Sequence, residues 1–226
     1  LNDQTENALW MIMAFVPTPI LIVSASVNRG ELLNTYAALA SGAVDVLDKP
    51  MELPDPVWER RFCSAVLRTS RIRVITHPRA RLRGATRSAP PRPITPSASP
   101  AGPREAGPVL LIGASTGGPA ALSIILGDLP ADLGCTVLIV LHIGPMFAAA
   151  LAEWVGTLTS LPVRVARNGE LLPAAGEGVI LLAPSDQHLT VVGRRLAFDD
   201  GPERHSCRPS VDVLFESAAA SLGPRA

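Results

Sequence analysis

The sequence predicts an α/β protein with parallel sheets, and three observations predict it. Short apolar runs alternate with longer Ala- and Leu-rich runs of helical spacing along most of the chain. Two of the apolar runs, Val109–Gly113 and Val137–Leu141, lead through a tight turn into a helix-like run, the order of a strand–helix–strand crossover. Hydrophobic residues make up 47% of the chain but aromatics only 4%, which suits buried Val/Leu/Ala strands better than an aromatic-rich sandwich.

In chain order, Leu9 to Phe15 has helical spacing. Pro19 to Ser24 reads as a buried strand ending in a hydroxyl. Gly30 to Ser41 reads as a helix with Gly42 as its C-cap. Ala43 to Leu47 is a second strand, running into Asp48-Lys49-Pro50, and Pro56 to Ser70 is an amphipathic helix. Two strands and a helix between them form one βαβ unit, too small to bury a full core alone. The segment 72–107 differs in kind. From Pro78 onward it is crowded with Pro, Arg, Ser and Ala, with little to bury, and reads as a poorly ordered linker. Its arginines lack the aromatic interleaving of a single-strand nucleic-acid arm.

Alternation then resumes: strand 109–113, helix 119–128, strand 136–141, helix 146–158, and strands 162–166 and 178–183. The runs 188–192 and 196–199, joined by Gly193-Arg194-Arg195, read as a hairpin. A helix over 210–221 follows. A ligand site in such a doubly wound sheet lies at the strands' carboxyl ends.

Bulk properties narrow the function. Lys plus Arg equals Asp plus Glu at 20 each, so net charge gives no reason to expect nucleic acid or an anionic membrane surface. No apolar run approaches the ~20 residues of a membrane span. Leu1-Asn2-Asp3-Gln4 is no signal peptide, and the absence of an initiator Met points to a fragment or processed chain. Cys63, Cys135 and Cys207 lack metal-ligand spacing and read as reduced thiols of a cytoplasmic protein.

The chemistry concentrates in Ile112-Gly113-Ala114-Ser115-Thr116-Gly117-Gly118-Pro119. A serine at a strand-to-helix turn is lifted out at the sheet edge. Small neighbours allow the sharp turn, and the next helix's amides can hold an oxyanion. Two plainer readings stand beside this one, that Ser115 caps the helix or that the glycines cradle a phosphate. His142, directly after a second apolar run, is positioned to emerge at the same edge as Ser115, within about 4 Å, as base to its nucleophile. His188 is read either as lining that cleft or as structural; His77 and His205 are read as structural. No carboxylate is plainly placed to complete the set: Asp128, Asp186, Asp199, Asp200 and Asp212 all sit at turns or helix ends.

These motifs resemble the chemotaxis response-regulator protein-glutamate methylesterases, the CheB family. The resemblance rests on Ile112–Pro119, Leu141-His142-Ile143 ahead of Phe147, Ala183-Pro184 through His188, and Arg208-Pro209-Ser210-Val211-Asp212-Val213-Leu214-Phe215. Pro17 to Ser24, Gly42 to Asp45 and Lys49-Pro50 resemble the back half of that family's flavodoxin-like receiver domain. The resemblance implies a partial receiver at 1–71, a linker at 72–107 and a doubly wound methylesterase domain at 108–226. It makes Ser115 the nucleophile, His142 the general base and Thr116 a residue shaping the oxyanion site. Ser24 and Lys49 match the receiver's phosphorylation switch, while the position three before Lys49, often aromatic, is Val46.

The implied function is hydrolysis of glutamate methyl esters, and deamidation of glutamines, on the cytoplasmic helices of methyl-accepting chemoreceptors. It needs no metal or organic cofactor. The implied partners are those receptors and the chemotaxis histidine kinase, with neither nucleic acid nor membrane insertion. The family's triad aspartate, in Gly-Met-Gly-x-Asp-Gly, and its phosphoacceptor aspartate have no match here. The chain therefore reads as incomplete at both ends, with little activity of its own. Two rivals are a non-catalytic interaction module with a degenerate esterase site and a lipase-like esterase. The Ser-to-His order with no plainly placed acid between them argues against the second.

Overall fold

In this computed structural model, residues 3–25, 29–50, 52, 55–74, 107–143 and 145–223 are described. The proline-rich linker from 75 to 106, with His77, lies outside the described residues.

The N-terminal unit comprises α1 (Asp3–Phe15), β1 (Leu21–Ser24), α2 (Arg29–Ala40), β2 (Asp45–Asp48) and α3 (Pro56–Ser70). Strands β1 and β2 pair in parallel, Leu21 with Asp45 through Ser24 with Asp48. The Asp55 carboxylate caps α3, accepting from the Val57 and Trp58 amides at 2.9 and 3.0 Å. α1 begins six residues before the apolar run that marked it, because its first turns are polar.

The second unit is a four-stranded parallel sheet in the order β3-β4-β6-β5. Its strands are β3 (Val109–Ala114), β4 (Thr136–Leu141), β5 (Val163–Val165) and β6 (Val179–Leu182). α4 (Gly118–Asp128) and α5 (Pro145–Leu158) connect them. The antiparallel hairpin β7 (His188–Val192) and β8 (Arg195–Asp199) follows, and then α6 (Val211–Leu222).

Period-two alternation on β4 divides the interior. Val137, Ile139 and Leu141 belong to one apolar cluster with α4 and α5, while Leu138 and Val140 belong to another with the hairpin and α6. β4 is buried along its whole length, as a central parallel strand is. The first cluster does not stop at the second unit. It includes Leu9, Ile22, Tyr36, Leu39 and Val46 of the N-terminal unit, and α2 packs on both α4 and α5. The small βαβ unit thus covers its apolar face against the larger one. The Tyr36 ring stacks on Trp154 with centroids 4.7 Å apart and planes at 13°.

Candidate active site

The parallel register of β3 and β4 pairs Val109 with Thr136 and, five rungs on, Ala114 with Leu141. The next residue on each chain is Ser115 and His142. One further backbone bond, from the His142 N–H to the Ala114 carbonyl at 3.0 Å, extends the ladder past the strand ends. The two candidate residues therefore leave the sheet side by side at its carboxyl edge, on chains spaced by about 4.8 Å.

The turn after Ser115 is tight. The Gly118 amide donates back to the Ser115 carbonyl at 2.6 Å, and Gly117 holds φ at +77°, the left-handed region that glycine enters without a Cβ penalty. Gly117 is the N-cap of α4, and no side chain hydrogen-bonds there. So Ser115 does not cap the helix, and the cap reading of its hydroxyl falls away. Ser115 is exposed. The first turn of α4 holds no acidic residue that would answer its N-terminal dipole.

His142 is half-buried. Its Nδ1 lies 3.4 Å from the Cys207 sulfur. Its Nε2 is buried and has no hydrogen-bond partner, so the expected bond from Ser115 Oγ to this nitrogen is not formed here. Burial lowers the imidazole pKa from 6.5, and it outweighs the Pro209 backbone carbonyl and the Asp212 charge, both of which favour the protonated ring. The ring is neutral near pH 7, as a general base requires.

Each candidate carboxylate in the loops around this edge is engaged elsewhere. Asp186 accepts from Arg208 Nε and Nη2 at 3.1 and 2.9 Å. Asp199 accepts from the Gly201 amide and Asp200 from Gln187. Asp212 lies 3.3 Å from His205 Nε2 on the surface. Asp128 ends α4. Among the described residues no carboxylate hydrogen-bonds His142.

His142 is instead covered by the loop between β8 and α6, and His188 fixes that loop. His188 is 2% exposed. Its Nδ1 accepts from the Ser210 amide at 3.1 Å, and its Nε2–H donates to the Pro202 carbonyl at 3.1 Å. Both ring nitrogens are thus occupied at the two ends of the loop, which resolves His188 as structural. Arg208 adds bonds from Nη1 to the Asp200 and Gly201 carbonyls. Within the loop, Arg204 and Cys207 exchange two backbone bonds of 3.1 Å around His205 and Ser206, whose φ values are 52° and 59°. That is the pattern of a type I′ turn, occupied by two non-glycine residues at about 1 kcal/mol or more each.

The N-terminal unit reaches the serine loop directly. The Gly117 amide donates to the Val44 carbonyl at 2.8 Å, and Thr116 Oγ1 donates a long bond of 3.4 Å to Asp45 Oδ2. Thr116 is therefore beside Ser115 in chain and bonded across the units. Ser24 and Lys49 are brought together with one another, the Lys49 amide donating to the Ser24 carbonyl at 2.9 Å. They lie at the other end of β2 from Val44 and Asp45, roughly 13 Å away along a strand of four residues.

Sequence reasoning missed Cys207. All three cysteines are free thiols, and nothing in their spacing marked this one as the neighbour of His142. Among the described residues no group of three or more His, Cys, Asp or Glu side chains is arranged to hold a metal ion. No described helix is long and apolar enough to cross a membrane.

Residues 110–226, just over half of the chain, match the family model described as CheB methylesterase. The chain is 41% identical over 222 residues to protein-glutamate methylesterase/protein-glutamine glutaminase 3 of Anaeromyxobacter dehalogenans, an alignment covering 96% of this chain and 61% of that protein. It is 39% identical over 219 residues to the corresponding enzyme 4 of Myxococcus xanthus, covering 94% and 59%. The chain thus spans about 60% of the length of these curated relatives. The crystal structure of the Thermotoga maritima CheB methylesterase catalytic domain aligns with 51% of this chain and 62% of its own, at 31% identity and a TM-score of 0.46. On the match across residues 110–226, the chain belongs to the CheB methylesterase family.

Proposed function

We propose that this protein is a protein-glutamate methylesterase of bacterial chemotaxis that also deamidates glutamines. One observation supports this reading above the others. Ser115 and His142 leave adjacent parallel strands side by side, and His142 presents a buried Nε2 with no partner. In the proposed reaction Ser115 Oγ attacks the ester carbonyl while His142 Nε2 takes its proton. The amides at the start of α4, beside Thr116, stabilise the oxyanion. His142 returns the proton to methanol, and water cleaves the acyl-enzyme by the same base. An amide substrate releases ammonia in place of methanol. No metal or organic cofactor takes part.

The substrate is a glutamyl methyl ester on the cytoplasmic helices of a methyl-accepting chemoreceptor, and the protein works in the cytoplasm. Residues 1–71 act as the receiver and 108–226 as the catalytic unit. The chemotaxis histidine kinase is the upstream partner, and Ser24 and Lys49 belong to the switch that phosphorylation throws. The contact of Val44 and Asp45 with the Ser115 loop supports control of the site by the N-terminal unit. Residues 1–226 alone have low activity, because no described carboxylate steadies the imidazolium.

That missing carboxylate also favours a second reading, a non-catalytic receptor-binding module with a degenerate site. Hydroxylamine trapping separates the two. A methyl-esterified receptor peptide incubated with the wild-type protein yields a Ser115 acyl adduct captured as hydroxamate, and Ser115→Ala yields none. Receptor binding with no adduct and no methanol release from either protein would leave only the binding module.

A further inference from the structure

Away from Ser115 and His142, we propose that the outward face of the β7–β8 hairpin, centred on Arg195 between Val192 and Leu171, is an exosite that docks an acidic helix of the receptor substrate. This inference rests on the reading of the substrate as a glutamyl ester on receptor helices, and it adds a second point of contact to the catalytic one.

Strand pairing sets the row. Val192 on β7 stands opposite Arg195 on β8, and Leu171 pairs with Arg195 from the other side. Side chains paired in this way share one face of a sheet, about 5 Å apart. Burial identifies that face. The adjoining residues Val191, Leu196 and Leu172 are 1%, 0% and 3% exposed and point into the core. Val192 and Leu171 are 63% and 56% exposed, and Arg195 is exposed between them. Arg195 is also held in place, its Nη1 donating to the Gly169 carbonyl at 2.7 Å. A fixed guanidinium flanked by two exposed aliphatic side chains has the composition of an interface centre.

Charge selects the occupant. The chain as a whole has no net charge, yet the paired segments 163–172 and 192–197 carry four arginines and a single acid, Glu170. That acid is already engaged. Its carboxylate takes Nη1 and Nη2 of Arg164 at 3.0 and 2.7 Å and the Arg167 amide at 2.6 Å. The apolar row therefore lies in a positive field. A helix that carries methylatable glutamates gains a carboxylate at each hydrolysed ester, and a guanidinium grips carboxylates in bidentate geometry. β7 runs from His188, which ties the loop over His142, to Val192, so the row lies roughly 14 Å along the hairpin from that loop. An α-helix rises 1.5 Å per residue and spans that distance in about nine residues. One receptor helix lying along the hairpin thus reaches from the loop over the catalytic pair to Arg195.

The test uses the full-length protein with Arg195→Glu, which reverses the charge, Arg195→Lys, which keeps it, and Val192→Asp, which puts an acid into the apolar row. Demethylation of a methyl-esterified receptor cytoplasmic fragment is compared with hydrolysis of p-nitrophenyl acetate, which is too small to reach the hairpin. Arg195→Glu and Val192→Asp are expected to raise KM for the receptor fragment about tenfold, with kcat and p-nitrophenyl acetate hydrolysis unchanged. Arg195→Lys is expected to keep more of the affinity than Arg195→Glu, and added NaCl to raise KM more for the wild type than for Arg195→Glu. An unchanged receptor KM in Arg195→Glu overturns the exosite, as do equal losses on both substrates, which would make Arg195 structural. A lower oligomeric mass for Arg195→Glu by light scattering would give the face to a second copy of this chain, and overturns it too. Binding of the receptor fragment to Ser115→Ala, with and without Arg195→Glu, tells the two levels apart. If the wild type hydrolyses neither substrate, the esterase reading fails, and docking stands or falls on a tenfold loss in that binding alone.

Discussion

Tyr36 on α2 donates its phenolic hydroxyl to the Phe147 carbonyl on α5 at 2.9 Å, across 111 residues of chain. The ring is fully buried and stacks on Trp154. Burial pushes its pKa well above the usual tyrosine value, so the hydroxyl remains a donor throughout the physiological range. Tyr36→Phe keeps the stack and removes the bond, and is expected to cost about 1 kcal/mol. Tyr36→Ala removes the ring as well, and is expected to cost about 3–5 kcal/mol. Urea melts of the two variants check this. A melt in which neither variant moves the unfolding of residues 107–223 would mean that the two units do not unfold together.

Gly113 on β3, itself exposed, faces Val211 at the start of α6. A Cβ built there would sit 2.3 and 2.7 Å from the two terminal methyls of Val211, closer than atoms pack. Gly113→Ala is expected to destabilise by about 1–3 kcal/mol through overpacking. Val211→Ala removes both of those methyls and is expected to recover much of the loss in the double variant. Thermal melts of the single and double variants measure the coupling. Additive losses would mean that the clash is relieved by movement of β3, and that Val211 is not what keeps residue 113 small.

The neutral state of His142 has a pH signature. Its folded-state pKa is depressed, with burial the leading cause. Below the unfolded value near 6.5 the unfolded chain binds a proton that the folded chain resists, so stability rises with pH in that range. The contribution is complete above pH 6.5 and is lost as pH falls toward the folded-state value. His142→Gln is expected to flatten the stability curve below pH 6.5. In the active protein, kcat/KM is expected to rise with pH through an apparent pKa below 6.5. A rate that rises only above pH 7 would place the base elsewhere.

The sequence made β3 and β4 legible because each is an uninterrupted apolar run closed by one chemically distinct residue, Ser115 or His142. Equal run lengths then put both residues at one edge, and the observed register pairs Ala114 with Leu141 as that argument needs. The hairpin and the last helix were legible from alternation and helical spacing for the same local reason. What was not legible is non-local. Cys207 meets His142 across 65 residues, through a loop whose path depends on His188 and Arg208, and no local pattern encodes it. The Gly117–Val44 bond joins two backbone groups, which every residue possesses, so no side-chain pattern announces it. His188 stayed ambiguous in sequence because lining a cleft and bridging two loop ends call for the same buried ring. Only its partners, Pro202 and Ser210, separate the two.

The turn before Cys207 gives the last prediction. Ser206 sits at φ 59°, where an L side chain costs about 1 kcal/mol or more and glycine is unstrained. Glycine's greater freedom in the unfolded chain takes back part of that gain. Ser206→Gly is therefore expected to raise stability slightly, by about 0.5 kcal/mol. Ser206→Val, β-branched at a left-handed position, is expected to lower it by about 1–2 kcal/mol. Denaturant midpoints of the two variants decide the sign. If valine were as stable as serine, the turn would not be left-handed in solution. The two backbone bonds between Arg204 and Cys207 would then have another geometry, and the sulfur would no longer be delivered to Nδ1 of His142.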